Sequence, residues 1–342
     1  MSVQVNVLPA TAADYEEVMS ISGGVYEGGD YLPYRYHEWL EDPRRRMFLA
    51  KSDGKVVGFE TFLLVDGGVT AVVEGLRVAP WMRGHGVAGI IQKHTIDTLR
   101  SDHPDVATLR LTHSENPPPS LLKKYTLISS KAIKSILLPA DQFEEGLKLL
   151  ESRVDNSESS INHSVLGPTQ VLKLFEGTNI EDLLPSGRLV QSRLALTTHR
   201  ANLELLLERR IVWLYSHAST PTSSDSTLTT QSHHIYASPL SSINTSFPRF
   251  LSLGTPPYPV PFAKGANRVD IDLFGNDPVC AKIHVLKQLQ MGTQGLPAGG
   301  DIICVLYAEE SLRAVLNDLC EELATFFKHR QQLVLEMNIS GF

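Results

Sequence analysis

The chain has 342 residues, 42% of them hydrophobic and 20% charged, with a formal net charge of -7 spread along its length. A single hydrophobic core stops growing at roughly 250 to 300 residues, so two domains are expected. No nucleic-acid partner is expected, because the strongest cationic run, Arg44 to Arg46, is short and reads as a solvated strand entry; no membrane span is expected either, because no stretch of about 18 apolar residues occurs. In chain order, residues 3 to 8 alternate like a strand, and Thr11 followed by Asp14 is a capping-box signature for a helix carrying Tyr15, Val18, Met19 and Ile21. A Gly-rich break spans Ser22 to Asp30, and a helix from Pro33 presents Tyr36, Trp39 and Leu40 before Pro43 ends it. Three strands follow without a helix between them, Met47 to Ala50, Val56 to Val65 and Val69 to Val78, separated by Asp-Gly turns, which predicts an antiparallel meander.

After Pro80 a Gly-rich turn opens a helix over Val87 to Leu99, with Ile90, Ile91, His94 and Leu99 near one stripe. A strand at Val106 to Thr112, a Pro-rich turn, a short helix near Leu121 to Tyr125 and a strand near Ile128 to Leu137 complete the first unit. Residues 1–150 are read as one domain and 151–165 as a linker; 166–342 form a C-terminal α/β domain with a Ser/Thr-rich surface loop at 219–246. Within it, strand Ile302 to Tyr307, helix Ser311 to Phe327 and strand Leu333 to Met337 repeat the strand-helix-strand order of the first domain. Cys280, Cys304 and Cys320 fit neither a zinc spacing nor a disulfide framework, and the N-terminus has no basic and apolar leader, so a reducing, cytoplasmic setting without a metal is expected.

The window from Glu74 to Ala88 carries the chemistry. A strand feeds a glycine-containing turn that opens a helix, so backbone N–H groups and the positive end of the helix dipole converge on an anion site. Gly84 and Gly86 let a pyrophosphate approach the backbone, and Arg83 adds a fixed cation. Gly84, Gly86 and Gly89 also satisfy a dinucleotide fingerprint, but the next strand ends Leu111-Thr112-His113 with no acidic residue for a ribose, and the upstream strands form a meander rather than βαβ units.

The stretch LRVAPWMRGHGVAGII resembles the strand end and RGxGxA loop of the GNAT acetyltransferases, and the element order over the first 137 residues or so is similar to that fold. The resemblance implies an α+β fold with a mixed, mostly antiparallel sheet, and acetyl-CoA as co-substrate. It further implies main-chain contacts from Leu76, Arg77 and Val78 to the pantetheine arm, loop amides of Arg83, Gly84, His85, Gly86, Val87 and Ala88 on the pyrophosphate, and Asn116 near that arm. Transfer by direct attack of an amine makes a base useful; Glu74 is the first candidate and His113 the second. The family's tyrosine acid falls on Leu122, so Tyr125, one helical turn on, is the candidate proton donor to the leaving thiolate.

The segment between the first two helices suits a mobile acceptor wall, with Tyr26 and Tyr31 to stack a flat ring and Glu27 or Asp30 to bind a cationic group. Together with GGDYLPYRYHEWLEDP and the long C-terminal half, the chain resembles the vertebrate histidine N-acetyltransferases, which implies free L-histidine as acceptor. An acetyltransferase of other small or protein amines, or a silent coenzyme-binding module, is the alternative. The C-terminal half is read as a degenerate copy of the first fold, with Ala308-Glu309-Glu310-Ser311 replacing the glycine loop, and is expected to bind no coenzyme and to serve as a structural partner.

Overall fold

The computed structural model describes residues 4–154, 161–177, 180–218, 248–296 and 299–340. Strand β1 (Asn6–Pro9) leads to α1 (Tyr15–Ser20), and the Asp14 carboxylate accepts a hydrogen bond from the Thr11 N–H at 3.0 Å, as the capping signature requires. Helix α2 (Leu32–Glu41) buries Tyr36 and Trp39 against the meander of β2 (Arg45–Ser52), β3 (Lys55–Val65) and β4 (Thr70–Val78). Next come α3 (Val87–Asp102), β5 (Thr108–Ser114), α4 (Pro119–Leu122), β6 (Thr126–Leu138) and α5 (Phe143–Ser152).

Helix α3 lies hard against β3 because Gly58 has no side chain: a Cβ there would sit 2.5 Å from Ile91 Cδ1. Its buried face is Val87, Ile91, Thr95 and Leu99, not the stripe through Ile90, which is 37% exposed. The i, i+4 spacing of the buried four is the face that meets a flat sheet.

The second half contains β7 (Ile161–Leu166), α6 (Pro168–Gly177), the hairpin β8 (Arg188–Gln191) and β9 (Leu194–Thr197), α7 (Arg200–Glu208), β10 (Val212–Ala218) and β11 (Pro248–Gly254). It continues with β12 (Tyr258–Val260), β13 (Ala266–Phe274), α8 (Pro278–Thr293), β14 (Ile302–Ala308), α9 (Arg313–Leu319), β15 (Ala324–Thr325) and β16 (Gln331–Asn338). The Ser/Thr-rich segment 219–246 falls outside the described residues. Residues 161–166, mostly inside the segment read as a linker, form the edge strand β7 paired with β10.

One 14-stranded sheet carries both halves in the order β1-β2-β3-β4-β5-β16-β6-β14-β13-β11-β10-β7, with β12 and β15 attached to β13 and β6. All pairs in it are antiparallel except two, β4 with β5 across α3 and β13 with β14 across α8. Each half therefore repeats a meander, a parallel crossover and a returning strand, but the returning strands are exchanged. Strand β6 of the first half pairs with β14, and β16 of the second half pairs with β5. Two expectations change. The second-half counterpart of the glycine loop is the connection from β13 to α8, not Ala308 to Ser311, and the helix expected to Phe327 ends at Leu319. The exchange also gives the C-terminal residues direct access to the first half's site.

Candidate active site

Strands β4 and β5 pair in parallel only from Thr70 with Thr108 to Val73 with Leu111. Beyond that point β4 carries a bulge, because Thr61 faces Glu74 while Phe59 faces Arg77, leaving Gly75 and Leu76 opposite Glu60 alone. Gly75 adopts φ +69°, and a Cβ on it would approach Phe59 Cε1 to 3.2 Å, so the kink needs glycine. The two strands then separate around a cavity of about 1250 Å³. The bulge also breaks the alternation expected along a regular strand: Glu74 and Leu76 line the cavity together with Arg77, whereas Val78 does not.

At the helix end of this cavity the turn after Pro80–Met82 sets Gly84 at φ +79° and Gly86 at φ +81°. No side chain caps α3, and a Cβ on Gly84 or Gly86 would meet nothing within 4 Å. The open amides of a sixteen-residue helix, with Ala88 and Gly89 on the cavity wall, fit a diphosphate. Arg83 and His85 are exposed beside it, and the His85 ring nitrogen Nδ1 lies 3.0 Å from the Arg83 carbonyl oxygen. Helix α8 in the second half differs: the Asp277 carboxylate accepts from the N–H groups of Val279 and Cys280, both at 2.9 Å, so that terminus already holds an anion of the chain's own.

At the sheet end, the Glu74 side chain is only 7% exposed, and its Oε2 accepts from Arg45 Nη2 at 2.8 Å. Arg45 in turn bonds Thr61 and stacks 4.0 Å from the Trp39 ring centroid. The cationic run read as a solvated strand entry thus sends its middle residue under the site, because alternate residues of β2 point to opposite faces. Tyr125 is buried on the cavity wall, and burial, with the nearby Glu60 carboxylate, raises its hydroxyl so that it stays protonated. His113 also lines the cavity; its Nδ1 lies 2.7 Å from the Ser114 carbonyl, which only accepts, so the neutral ring keeps Nε2 free of a proton.

The four acceptor-wall candidates separate. Tyr26 and Tyr31 line the cavity, with ring centroids 6.1 Å apart. Asp30 is fully buried and spent on structure, accepting from Arg77 Nη2 at 2.7 Å and from the Leu32 N–H at 3.1 Å. Glu27 is exposed and does not line the cavity, and Asn116 sits exposed in a left-handed turn at φ 59°, likewise off the cavity wall. Far from being loose, this wall is anchored from both halves, since Arg268 Nη1 donates to the Gly29 carbonyl at 2.7 Å.

Sequence reasoning missed Glu60, Arg45 and Arg193. Glu60 is fully buried on the cavity wall, where burial pushes its carboxyl up to about 8 against opposing hydrogen bonds from Thr95 and Gln92; the signal was a lone charge inside the apolar run of β3. Arg193, in the two-residue turn between β8 and β9, reaches the site with its guanidinium 3.7 Å from the Tyr26 ring centroid. Residues of the second half thus line the first half's cavity, among them His329, Gln331, Gln332 and Met337. A smaller pocket adjoins it between the halves, with Tyr31, Glu74 and Arg193 common to both.

Among the described residues no cluster of His, Cys, Asp or Glu side chains has the makings of a metal site, and no helix is long and apolar enough to cross a membrane. Residues 13–118 match the acetyltransferase (GNAT) family, and residues 240–309 match the histidine N-acetyltransferase C-terminal family. The chain is 33% identical over 340 residues to probable N-acetyltransferase 16 of Homo sapiens, covering 96% of this chain and 85% of that protein. It is 31% identical to histidine N-acetyltransferase of Xenopus tropicalis, covering 91% of this chain and 87% of that one. Among solved structures, a tandem GNAT protein from the clavulanic acid biosynthesis pathway superposes with TM-score 0.54 at 14% identity, covering 98% and 99% of the two chains. A GCN5-related N-acetyltransferase from Sphaerobacter thermophilus gives 0.56 at 12% identity, covering 98% and 96%, and these two likenesses speak for the fold alone. The splayed strands, the uncapped glycine turn and these relatives place the chain in the GNAT superfamily of acetyl-CoA-dependent N-acetyltransferases, in the family that includes the vertebrate histidine N-acetyltransferases.

Proposed function

We propose that the chain acetylates the α-amine of free L-histidine, giving N-acetylhistidine and coenzyme A. The observation that carries this reading is that both halves line the large cavity, Tyr26 and Tyr31 from the first and Arg193, His329 and Gln332 from the second, and that it adjoins the small pocket walled by Trp39, Arg209 and Tyr258. A protein amine needs an open groove, whereas a pocket shared by two packed halves suits a small, flat-ringed acceptor. The Xenopus tropicalis relative and a 28% identical protein of Scomber australasicus, both named histidine N-acetyltransferase, support the choice of histidine.

In this reading, the amides from Arg83 to Ala88 hold the pyrophosphate, while main-chain groups at Leu76 and Arg77 hold the pantetheine arm. The thioester supplies an electrophilic carbonyl in the strand gap. An amine is mostly protonated at neutral pH and must lose a proton before attacking. Glu74 takes that proton, directly or through one water, with Arg45 fixing the carboxylate through Oε2; His113 Nε2 is the second acceptor on the cavity wall. Tyr125, kept protonated by burial, hands a proton to the departing thiolate. Tyr26 and Tyr31 stack the imidazole. Three free, buried cysteines support a cytoplasmic setting.

The test is turnover of acetyl-CoA by the purified chain with each free amino acid and with peptides of matching N-terminal residue. The reading expects histidine to give the highest kcat/KM. Peptide turnover exceeding that of free histidine, or coenzyme binding without any acetylation, would sink it.

A further inference from the structure

The smaller pocket is unevenly charged. Four guanidinium groups line it, those of Arg35, Arg193, Arg209 and Arg268, against two carboxylates, Glu74 and Asp270. Most of these charges are already matched. Arg268 donates to Asp270 Oδ1 from both Nε and Nη2, at 2.9 and 2.7 Å. Glu74 is held by Arg45, and Arg35 pairs with Glu38 at 2.7 Å. Arg193 and Arg209 remain. Neither guanidinium donates to any acceptor among the described residues, and Arg193 Nε is buried with no partner. Both residues are half-buried, and a guanidinium held there without an acceptor is costly, so a pocket lined by two is shaped for an anion.

Their placement is built in. Ser192 and Arg193 form the tip of the hairpin between β8 and β9, with Ser192 in the left-handed region at φ 52°. The Ser192 N–H donates to Asp272 Oδ2 at 2.7 Å and its carbonyl accepts from Gln332 Nε2 at 2.8 Å, so β13 and β16 clamp the tip. Arg193 is then stacked on Tyr26 where the two cavities meet. Arg209 follows the last turn of α7, its backbone N–H bonded to the Leu205 carbonyl at 3.1 Å. Burial, with Arg45 and Arg35 close by, pushes its guanidinium down to about 10 against the opposing pull of Glu74 and Glu38.

We propose that Arg193 and Arg209 bind the α-carboxylate of the acceptor amino acid and so turn its amine toward Glu74. This rests on the reading of a free amino acid as substrate. It assigns the second half a direct share in specificity: a guanidinium pair recognises a carboxylate by charge and paired hydrogen bonds, whereas the first residue of a peptide offers only a neutral carbonyl there.

The experiment compares kcat/KM for L-histidine and L-histidinamide, which share amine and imidazole and differ in the carboxylate. Wild type is expected to prefer the acid by at least about tenfold, the discrimination one charged hydrogen bond commonly gives. Arg193→Gln and Arg209→Gln should each cut that acid-to-amide ratio several-fold, mainly through KM for the acid, and Arg209→Lys, which keeps the charge, should recover part of it. Acid and amide used equally by wild type, or variants that lose both in equal measure, would overturn the proposal; so would a wild type that accepts only amines without a carboxylate. Should another amino acid outrun histidine while showing the same arginine-dependent preference for acid over amide, the choice of histidine fails and the carboxylate pair stands.

Discussion

Gly86→Glu isolates the phosphate-binding turn from the rest of the molecule. Gly86 adopts φ +81° immediately before α3, and a Cβ built on it meets no atom within 4 Å, so the substitution creates no clash in the folded chain. Its cost to folding is the left-handed conformation, about 1–2 kcal/mol. Its cost to coenzyme binding is larger. A carboxylate at the helix terminus places like charge beside the pyrophosphate, and two unit charges about 4 Å apart at an effective dielectric near 20 repel by about 4 kcal/mol, roughly a thousandfold in affinity. Gly86→Ala carries the conformational cost without the charge and separates the two. Calorimetric titration with coenzyme A should show near-total loss of binding for the glutamate variant and a modest loss for alanine, with melting temperatures of both within several degrees of wild type. An affinity for the glutamate variant within about threefold of wild type would refute the assignment of the pyrophosphate to this turn.

Glu74→Gln should lower kcat by about a hundredfold or more while the KM for acetyl-CoA changes little, since a positioned base contributes on that order; steady-state kinetics check it, and a kcat within about threefold of wild type would transfer the role to His113 or water. Glu60 is raised to about 8 in the folded chain, chiefly by burial. A carboxyl raised on folding stabilises below its unfolded value, and that contribution disappears as pH climbs through about 8, so wild-type stability should fall by a few kcal/mol between about pH 5 and pH 8. Glu60→Gln should flatten this slope in denaturant titrations run across the range, and parallel profiles would contradict the burial argument. Asn202 donates to the Asp66 carboxylate at 2.5 Å and accepts from its N–H at 2.9 Å, tying α7 to the turn between β3 and β4. Removing these bonds with Asn202→Ala should cost about 1–3 kcal/mol in equilibrium unfolding.

The meander, the long helix after the glycine turn and the returning strands were legible because each has a local cause: Asp-Gly turns, period-two alternation, a Pro stop. The phosphate-binding turn was legible for the same reason, being one contiguous window. What escaped was set by contacts distant in sequence. Arg45 looks like one of three surface cations, and only the direction of β2 under Trp39 sends it to Glu74. Asp30 looked free for a ligand, yet Arg77, 47 residues on, claims it. Counting by twos along β4 failed at Gly75 because a bulge cannot be seen without its partner strand. Most of all, the exchange of β6 and β16 between halves leaves no mark in either strand's own pattern, and it is this exchange that brings second-half residues to the first half's cavity.

The most direct measurement is a crystal structure of the chain with coenzyme A and L-histidine together. Density for the diphosphate on the amides of residues 84–88, the thiol in the gap beyond Val73 and Leu111, and the amino acid beside Glu74 with its carboxylate on the guanidiniums of Arg193 and Arg209 is the predicted result. Coenzyme seated on the second half, or an amino acid bound away from the junction of the two halves, would contradict the account.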